Sequence, residues 1–286
     1  MMRIVLLMIL FMIMAFTLVA NITSKKTGRP GVNVGREINR TLKQTFGGAD
    51  RLAPDLGDAI GRMDKQLSQL GKRGDTPEPI EGVTGNLNIS GADFSGARAP
   101  NSVFAGVLIN ATQFVGALLD GASFEGATGS EANFNKARLA GANLSAAVLI
   151  GSDFSAADLN QAAMRASDLT GSNFTGANLT AASLSGSTLS KAVIAKAFAP
   201  GAAFVDAVAQ SVDFTATDLR GARFGNADLR DAIFAGADVA GADFAGARLS
   251  GAELSGALNL TANQLAGACG DASTKIPHGM SLQTCE

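Results

Sequence analysis

The sequence predicts an all-β solenoid, and three observations carry that prediction. Every fifth residue from Ile89 to Leu254 marks 34 positions with no insertion or deletion, and 30 of them are large and apolar: twelve Phe, thirteen Leu, three Ile, one Met and one Val. Two residues before these centres stands Ala in 24 cases and Ser in five. The composition is of the same kind, with 34 Gly among 286 residues, one His and neither Trp nor Tyr, the bias toward small residues that repetition produces. Four centres, Ala99, Gly129, Ala199 and Ala209, break the rule.

A five-residue period fits neither the 3.6 of an α-helix nor the 2.0 of a long strand. It fits a chain that turns a corner every five residues. The centre and the small residue two before it then both point inward, and the narrow interior demands Ala or Ser beside each large side chain. Glycine commonly follows two after the centre, where a corner calls for φ > 0.

Units such as Ala92-Asp93-Phe94 and Ala177-Asn178-Leu179 resemble those of the pentapeptide-repeat family, Ala-Asp/Asn-Leu/Phe followed by two variable residues, over about 60% of the chain. The resemblance implies a right-handed quadrilateral β-helix with four units, or twenty residues, per coil, and hence about 8.5 coils from the 34 units. Stepping by twenty tests this. One face reads Phe94, Phe114, Phe134, Phe154, Phe174, Ile194, Phe214, Phe234 and Leu254, and the opposite face Phe104, Phe124, Leu144, Met164, Leu184, Phe204, Phe224 and Phe244. The other two faces contain no Phe and are mainly Leu: Leu119, Leu139, Leu159, Leu179 and Leu219 on one, Leu169, Leu229 and Leu249 on the other. Stacked coils produce such columns, and these residues are the expected core. At ~4.8 Å between strands the rod is about 40 Å long.

Before the repeat, Ile4 to Ala20 contain a single polar residue, Thr17. Residues 1–22 therefore read as a transmembrane anchor or a signal peptide. An uncleaved anchor is preferred, because Leu18 stands where cleavage favours a small residue and Lys25, Lys26 and Arg29 follow. Residues 23–84 read as a linker with amphipathic helices. Val34, Ile38, Leu42 and Phe46 form one stripe; Leu56, Ile60, Met63, Leu67 and Leu70 form a second, with Pro54 in its first turn. The second stripe is a short helical seam for a partner or a second copy, or a helix that packs on the solenoid end or its neighbour.

The repeat domain spans 85–258. Within it, Ala99-Pro100 and Ala199-Pro200 look like defects on one face, and Phe198 reads as one residue out of frame. This reads either as a kink or bulge with Phe198 as an exposed contact, or as a tolerated loose coil. Residues 259–286 form a C-terminal cap. Thr261-Ala262-Asn263-Gln264 has the form of a capping box opening a helix through about Ala268. Cys269 and Cys285, sixteen apart, point to a structural disulfide and so to an oxidising compartment; two reduced thiols are the alternative. The run from Ala268 to Cys285 looks like the C-terminal extension of many bacterial members of the family.

Catalytic chemistry is not expected. His278 is the only imidazole, and Cys269 and Cys285 with one His lack a zinc spacing. The outward Asp residues (Asp93, Asp153, Asp158, Asp168, Asp213, Asp218, Asp228, Asp238 and Asp243) occupy the motif's own position and read as structural. No cofactor and no metal are expected. The expected function is a non-catalytic scaffold for an unknown protein partner, held to a membrane through residues 4–20, at a bacterial inner membrane with the repeat domain periplasmic, or secreted to the periplasm after cleavage. A homo-oligomer through the 54–70 helix or the solenoid ends is a further expectation. The resemblance also brings in members that mimic DNA and act on type II topoisomerases. Residues 87–258 hold 15 acidic and 10 basic residues, and Arg138, Arg220, Arg223, Arg230 and Arg248 interrupt any phosphate-like array. No nucleic-acid partner is expected on that charge.

Overall fold

The computed structural model describes residues 88–285. The expected membrane segment, both amphipathic helices and the first residues of the repeat domain lie outside them.

Parallel bridges join residues twenty apart along the whole repeat, from Asn88 with Leu108 to Asp238 with Leu258. Each coil therefore has four sides. We number them by their inward centres: face 1 runs Phe94 to Leu254, face 2 Ala99 to Val239, face 3 Phe104 to Phe244 and face 4 Ile89 to Leu249. The hydrogen bonding is the same on each. The centre's N–H donates to the next coil, as Phe114 N–H does to Asn133 O at 2.7 Å, and the residue before it donates to the previous coil, as Gln113 N–H does to Ala92 O at 2.9 Å. Among the described residues of the repeat, one site extends into regular strands, β1 (Thr128–Ser130) paired in parallel with β2 (Val148–Ile150).

At most corners the centre's carbonyl accepts from the N–H three residues on, as Phe94 O does from Ala97 at 3.0 Å. The residue two after the centre has positive φ at every corner from Gly91 to Gly251, which a type II turn places at that position. Glycine is therefore common there. Sixteen repeat corners nonetheless carry another residue, Ala156 at φ 55° and Lys191 at φ 62° among them.

Every centre from Ile89 to Leu254 except Gly129 is a buried hydrophobic. The Phe columns stack along the axis, with centroids 4.8 Å apart for Phe114 and Phe134 and 4.7 Å for Phe104 and Phe124. They also meet each other: Phe114 and Phe124, on opposite faces, lie edge to face at 5.5 Å and 85°. The aromatic core is thus one herringbone across the axis, interrupted where Leu144, Met164 and Leu184 replace Phe on face 3. Gly129 is close-packed: a Cβ there would lie 2.8 Å from the Ile109 carbonyl carbon.

The Ala-Pro units are not defects. Asn178, Phe198 and Asp218 continue the bridge ladder unbroken, and Pro100 and Pro200 stand at the first central position of their turns, where proline's fixed φ is favoured. Phe198 is in frame, in the outward slot that Asp or Asn fills elsewhere. The reason lies two residues on. In other units that Asp or Asn accepts the N–H of the residue after the centre; at 198 that residue is Pro200, which has no N–H. Arg98 stands before Pro100 in the same way.

The repeat register ends after Leu254: Gly256 is no longer a positive-φ corner, and Asn259 takes φ 58° instead. The cap helix, α1 (Ala262–Leu265), is shorter than expected, because Ala268 turns back and Cys269 re-enters the ladder beside Arg248. Gln264 Oε1 accepts the Thr261 N–H at 2.9 Å, and its Nε2 donates to Val239 O at 2.7 Å and Ala242 O at 2.9 Å, pinning α1 on the last coil. Two short strands, β3 (Cys269–Gly270) and β4 (Gln283–Thr284), pair in parallel beyond it.

Candidate functional site

The inward side chains of the repeat are buried in its core, so its outward faces are the candidate site. The nine outward Asp residues all share one use: each Oδ1 accepts the backbone N–H two residues on, from 2.8 Å (Asp213 to Thr215) to 3.3 Å (Asp228 to Arg230). Such short polar side chains stabilise a local turn. Some also join coils: Asn178 Nδ2 donates to Asp158 Oδ1 at 2.9 Å, and Asn133 Nδ2 to Gln113 Oε1 at 2.9 Å.

Charge on the faces is mixed. Arg138 pairs with Asp120 at 3.1 Å, Arg220 with Asp218 at 2.7 Å and Arg230 with Asp228 at 2.7 Å. The hydrogen bonds from Arg220 and Arg230 hold the Asp218 and Asp228 carboxyls below the usual range. Among the described residues, no group of three or more His, Cys, Asp or Glu could hold a metal ion, and none of their helices is long and apolar enough to cross a membrane.

Phe198 is 47% exposed on face 2. A second set of exposed apolar residues was not singled out from the sequence: Leu108, Val148, Ile150 and Val208, all on face 4. The signal was available, since Leu108, Val148 and Val208 replace the expected Asp or Asn before a centre and fall in one column when the chain is stepped by twenty.

Cys269 and Cys285 are bonded to each other, with Cα atoms 4.8 Å apart. The Ser250 hydroxyl lies 3.6 Å from Cys285 Sγ. His278 is exposed in the intervening loop. That loop is organised by Asp271, whose carboxyl is lowered to about 2, chiefly by the Ser273 hydroxyl; desolvation opposes this, and the backbone N–H groups of Ser273 and Gly251 and the Thr274 hydroxyl add to the lowering. Lys275 pairs with Glu253 at 2.8 Å, which lowers the Glu253 carboxyl.

Four parallel ladders around a close-packed interior define a four-sided β-helix. The chain belongs to the pentapeptide-repeat family: the model for pentapeptide repeats matches in eight copies, over residues 88–126, 109–145, 130–165, 157–194, 189–226 and 222–258. Members of that family are right-handed β-helices and are generally structural or interaction proteins. Similar solved structures include HetL, a pentapeptide repeat protein involved in heterocyst differentiation regulation from the cyanobacterium Nostoc sp. strain PCC 7120, at 23% identity over 75% of this chain and 98% of that one, TM-score 0.24. QnrB1, a plasmid-mediated fluoroquinolone resistance protein, is similar at 21% identity over 64% of this chain and 92% of that one, TM-score 0.25. A pentapeptide repeat protein of the Arabidopsis thaliana thylakoid lumen is 33% identical over 47% of this chain and 75% of that one, TM-score 0.18. No curated protein sequence matches.

Proposed function

We propose that the protein is a non-catalytic scaffold that presents flat, rigid solenoid faces to a protein partner, held at a bacterial inner membrane by residues 4–20 with the repeat domain in the periplasm. The observation that carries the scaffold reading is the use of all nine outward Asp carboxylates in local turns. Groups spent on holding backbone geometry make an ordered surface and are not gathered around a reacting atom. The exposed apolar residues of face 4, with Phe198 on face 2, supply contact area on that surface. The periplasmic placement is supported by the Cys269–Cys285 bridge, since disulfides persist in oxidising compartments. The membrane attachment rests on the apolar run 4–20. The ion pairs on Asp120, Asp218 and Asp228 neutralise carboxylates that a mimic of DNA phosphates needs free.

A pull-down from membranes, with the intact chain and with residues 1–30 removed, tests the reading together with protease access to the repeat domain. The expected result is partner capture that depends on residues 1–30, with the repeat domain cleaved only when protease reaches the periplasm. A protein that fractionates with the cytoplasm and captures a topoisomerase overturns it.

A further inference from the structure

The two halves of the region that closes the C-terminal end are held in different ways. From Cys269 to Lys275 the chain is woven into the last coil. Cys269 N–H donates to Ala247 O at 3.0 Å and Cys269 O accepts from Leu249 at 2.7 Å; Lys275 N–H donates to Ala252 O at 2.9 Å and Lys275 O accepts from Leu254 at 2.7 Å. The Thr274 hydroxyl adds a bond to Leu249 O at 3.0 Å. Beyond Lys275 the ties change. The tail, residues 276–285, returns to the solenoid through the two-residue pairing of β4 with β3, one bond from Cys285 N–H to Gly270 O at 3.0 Å, the Ser250 hydroxyl at 3.6 Å from Cys285 Sγ, and the disulfide. Two paired residues do not hold a strand in place by themselves.

The tail covers what the last coil would otherwise leave open. β4 lies along the outer edge of β3, whose other edge is paired with the Arg248 strand. Leu282 and Gln283 line a hollow with Ala262, Leu265 and Ala266, and Leu265 is the buried residue of α1. Both cysteines are partly exposed to solvent, so a reductant in solution can reach them.

We propose that the Cys269–Cys285 bridge is a reversible redox lock on the C-terminal end. Oxidised, it holds the tail as the terminal strand of the solenoid. A dithiol reductant opens it: one of its thiolates attacks a bridge sulfur and expels the other cysteine as a thiolate, and its second thiolate then attacks the reductant's own sulfur in the mixed disulfide and expels the remaining cysteine thiolate. The reductant leaves as a cyclic disulfide, having given two electrons and two protons to the two cysteines. The tail then detaches, baring the β3 edge and Leu265, while the ladder through Lys275 stays in place. An unpaired strand edge beside apolar surface is a template for further strand pairing, so the redox state sets whether this end is closed or available. The lock does not depend on which partner binds the faces.

Amide hydrogen exchange of the intact protein, read by mass spectrometry with and without dithiothreitol, tests this. On reduction, peptides covering Gly270 and 276–285 are expected to lose protection while those covering 88–258 keep it, and reoxidation is expected to restore it. The Cys269→Ser/Cys285→Ser double variant is expected to match the reduced protein without reductant; reduction of the folded wild-type chain gives the same reading if that variant does not fold. Unchanged protection at 276–285 after reduction overturns the lock, as does loss of protection that spreads through 88–258.

Discussion

Phe124 and Phe134 stand ten residues apart on opposite faces, yet their rings meet edge to face, with centroids at 5.3 Å and planes at 89°. Phe134 also stacks on Phe114 at 4.8 Å and on Phe154 at 4.9 Å. Phe154 keeps only the stacked contacts within its own column, with Phe134 and Phe174. The edge contact is worth about 0.5–1.5 kcal/mol beyond burial. Phe134→Leu is therefore expected to lower the denaturation midpoint more than Phe154→Leu. Phe134→Ala is expected to cost about 3–5 kcal/mol through the cavity it leaves. Equal midpoints for the two Leu variants would show that the herringbone adds nothing to burial.

The corners predict a ranked series. Ala156 holds φ 55°, a conformation that costs an L-residue roughly 1–2 kcal/mol. Glycine there relieves the strain and gives back part of it through a freer unfolded chain. Ala156→Gly is expected to stabilise by about 0.5–1 kcal/mol. Gly171→Ala reverses that change at a corner with open space around the new Cβ, and is expected to destabilise by a similar amount. Gly129→Ala is expected to be the worst of the three, because its Cβ would meet the Ile109 backbone rather than solvent. Thermal melts of the three variants check the order.

Asp158 and Phe198 occupy the same outward column and respond oppositely to exchange. Asp158→Ala removes the acceptor of both Asn160 N–H and Asn178 Nδ2, and is expected to cost about 1 kcal/mol. Phe198→Asp introduces the motif's own residue yet is expected to gain no stability, because Pro200 has no N–H to donate. Phe198→Ser is expected to leave the melting temperature nearly unchanged, within about 0.5 kcal/mol, as for exposed positions generally. A clear stabilisation by Phe198→Asp would contradict this account of the outward slot.

Acid is expected to loosen the C-terminal cap before the repeat. Asp271 titrates at about 2 in the folded protein against an ordinary value of 3.8, and Glu253, paired with Lys275, is also lowered. A carboxyl lowered by folding contributes stability that is present above its unfolded pKa and is lost as pH falls through the folded one. Protection of the amides around Ser273 and Lys275, measured against the intrinsic exchange rate at each pH, should therefore fall between about pH 4 and pH 2. Asp271→Asn is expected to flatten that dependence. Cap peptides whose protection is the same across the window would refute the assignment.

Much of the repeat was legible because each five-residue unit carries its own instructions. The inward centres, the small residue beside them, the outward Asp and the left-handed corner are each a statement about one unit, repeated until chance is excluded. What was not legible depends on neighbours a coil away. Thr112 and Thr217 stand where the repeat favours Ala, and their hydroxyls donate to Ile89 O at 3.0 Å and Ile194 O at 2.7 Å in the preceding coil, as Ser172 does to Leu149 O at 2.8 Å. Phe198 reads as displaced in the sequence, because the missing N–H of Pro200 matters only once the turn bond from the outward slot is known. The extent of α1 depended on where Cys269 had to re-enter the ladder. Leu108, Val148 and Val208 of face 4 replace a polar residue in the outward slot, a signal weaker than the inward columns because no two of them stand in adjacent coils.

The twenty-residue step of the bridge ladder has a consequence for how such a chain can change in length. Deleting one whole coil, for example residues 149–168, joins Val148 to Leu169, returns every later residue to the same face and shortens the rod by about 4.8 Å. Deleting a single residue would rotate every later side chain out of its column and empty the core from that point on. Whole coils are thus interchangeable lengths, and the spacing between the two ends of the solenoid can be reset in steps of one strand width without redesigning either end.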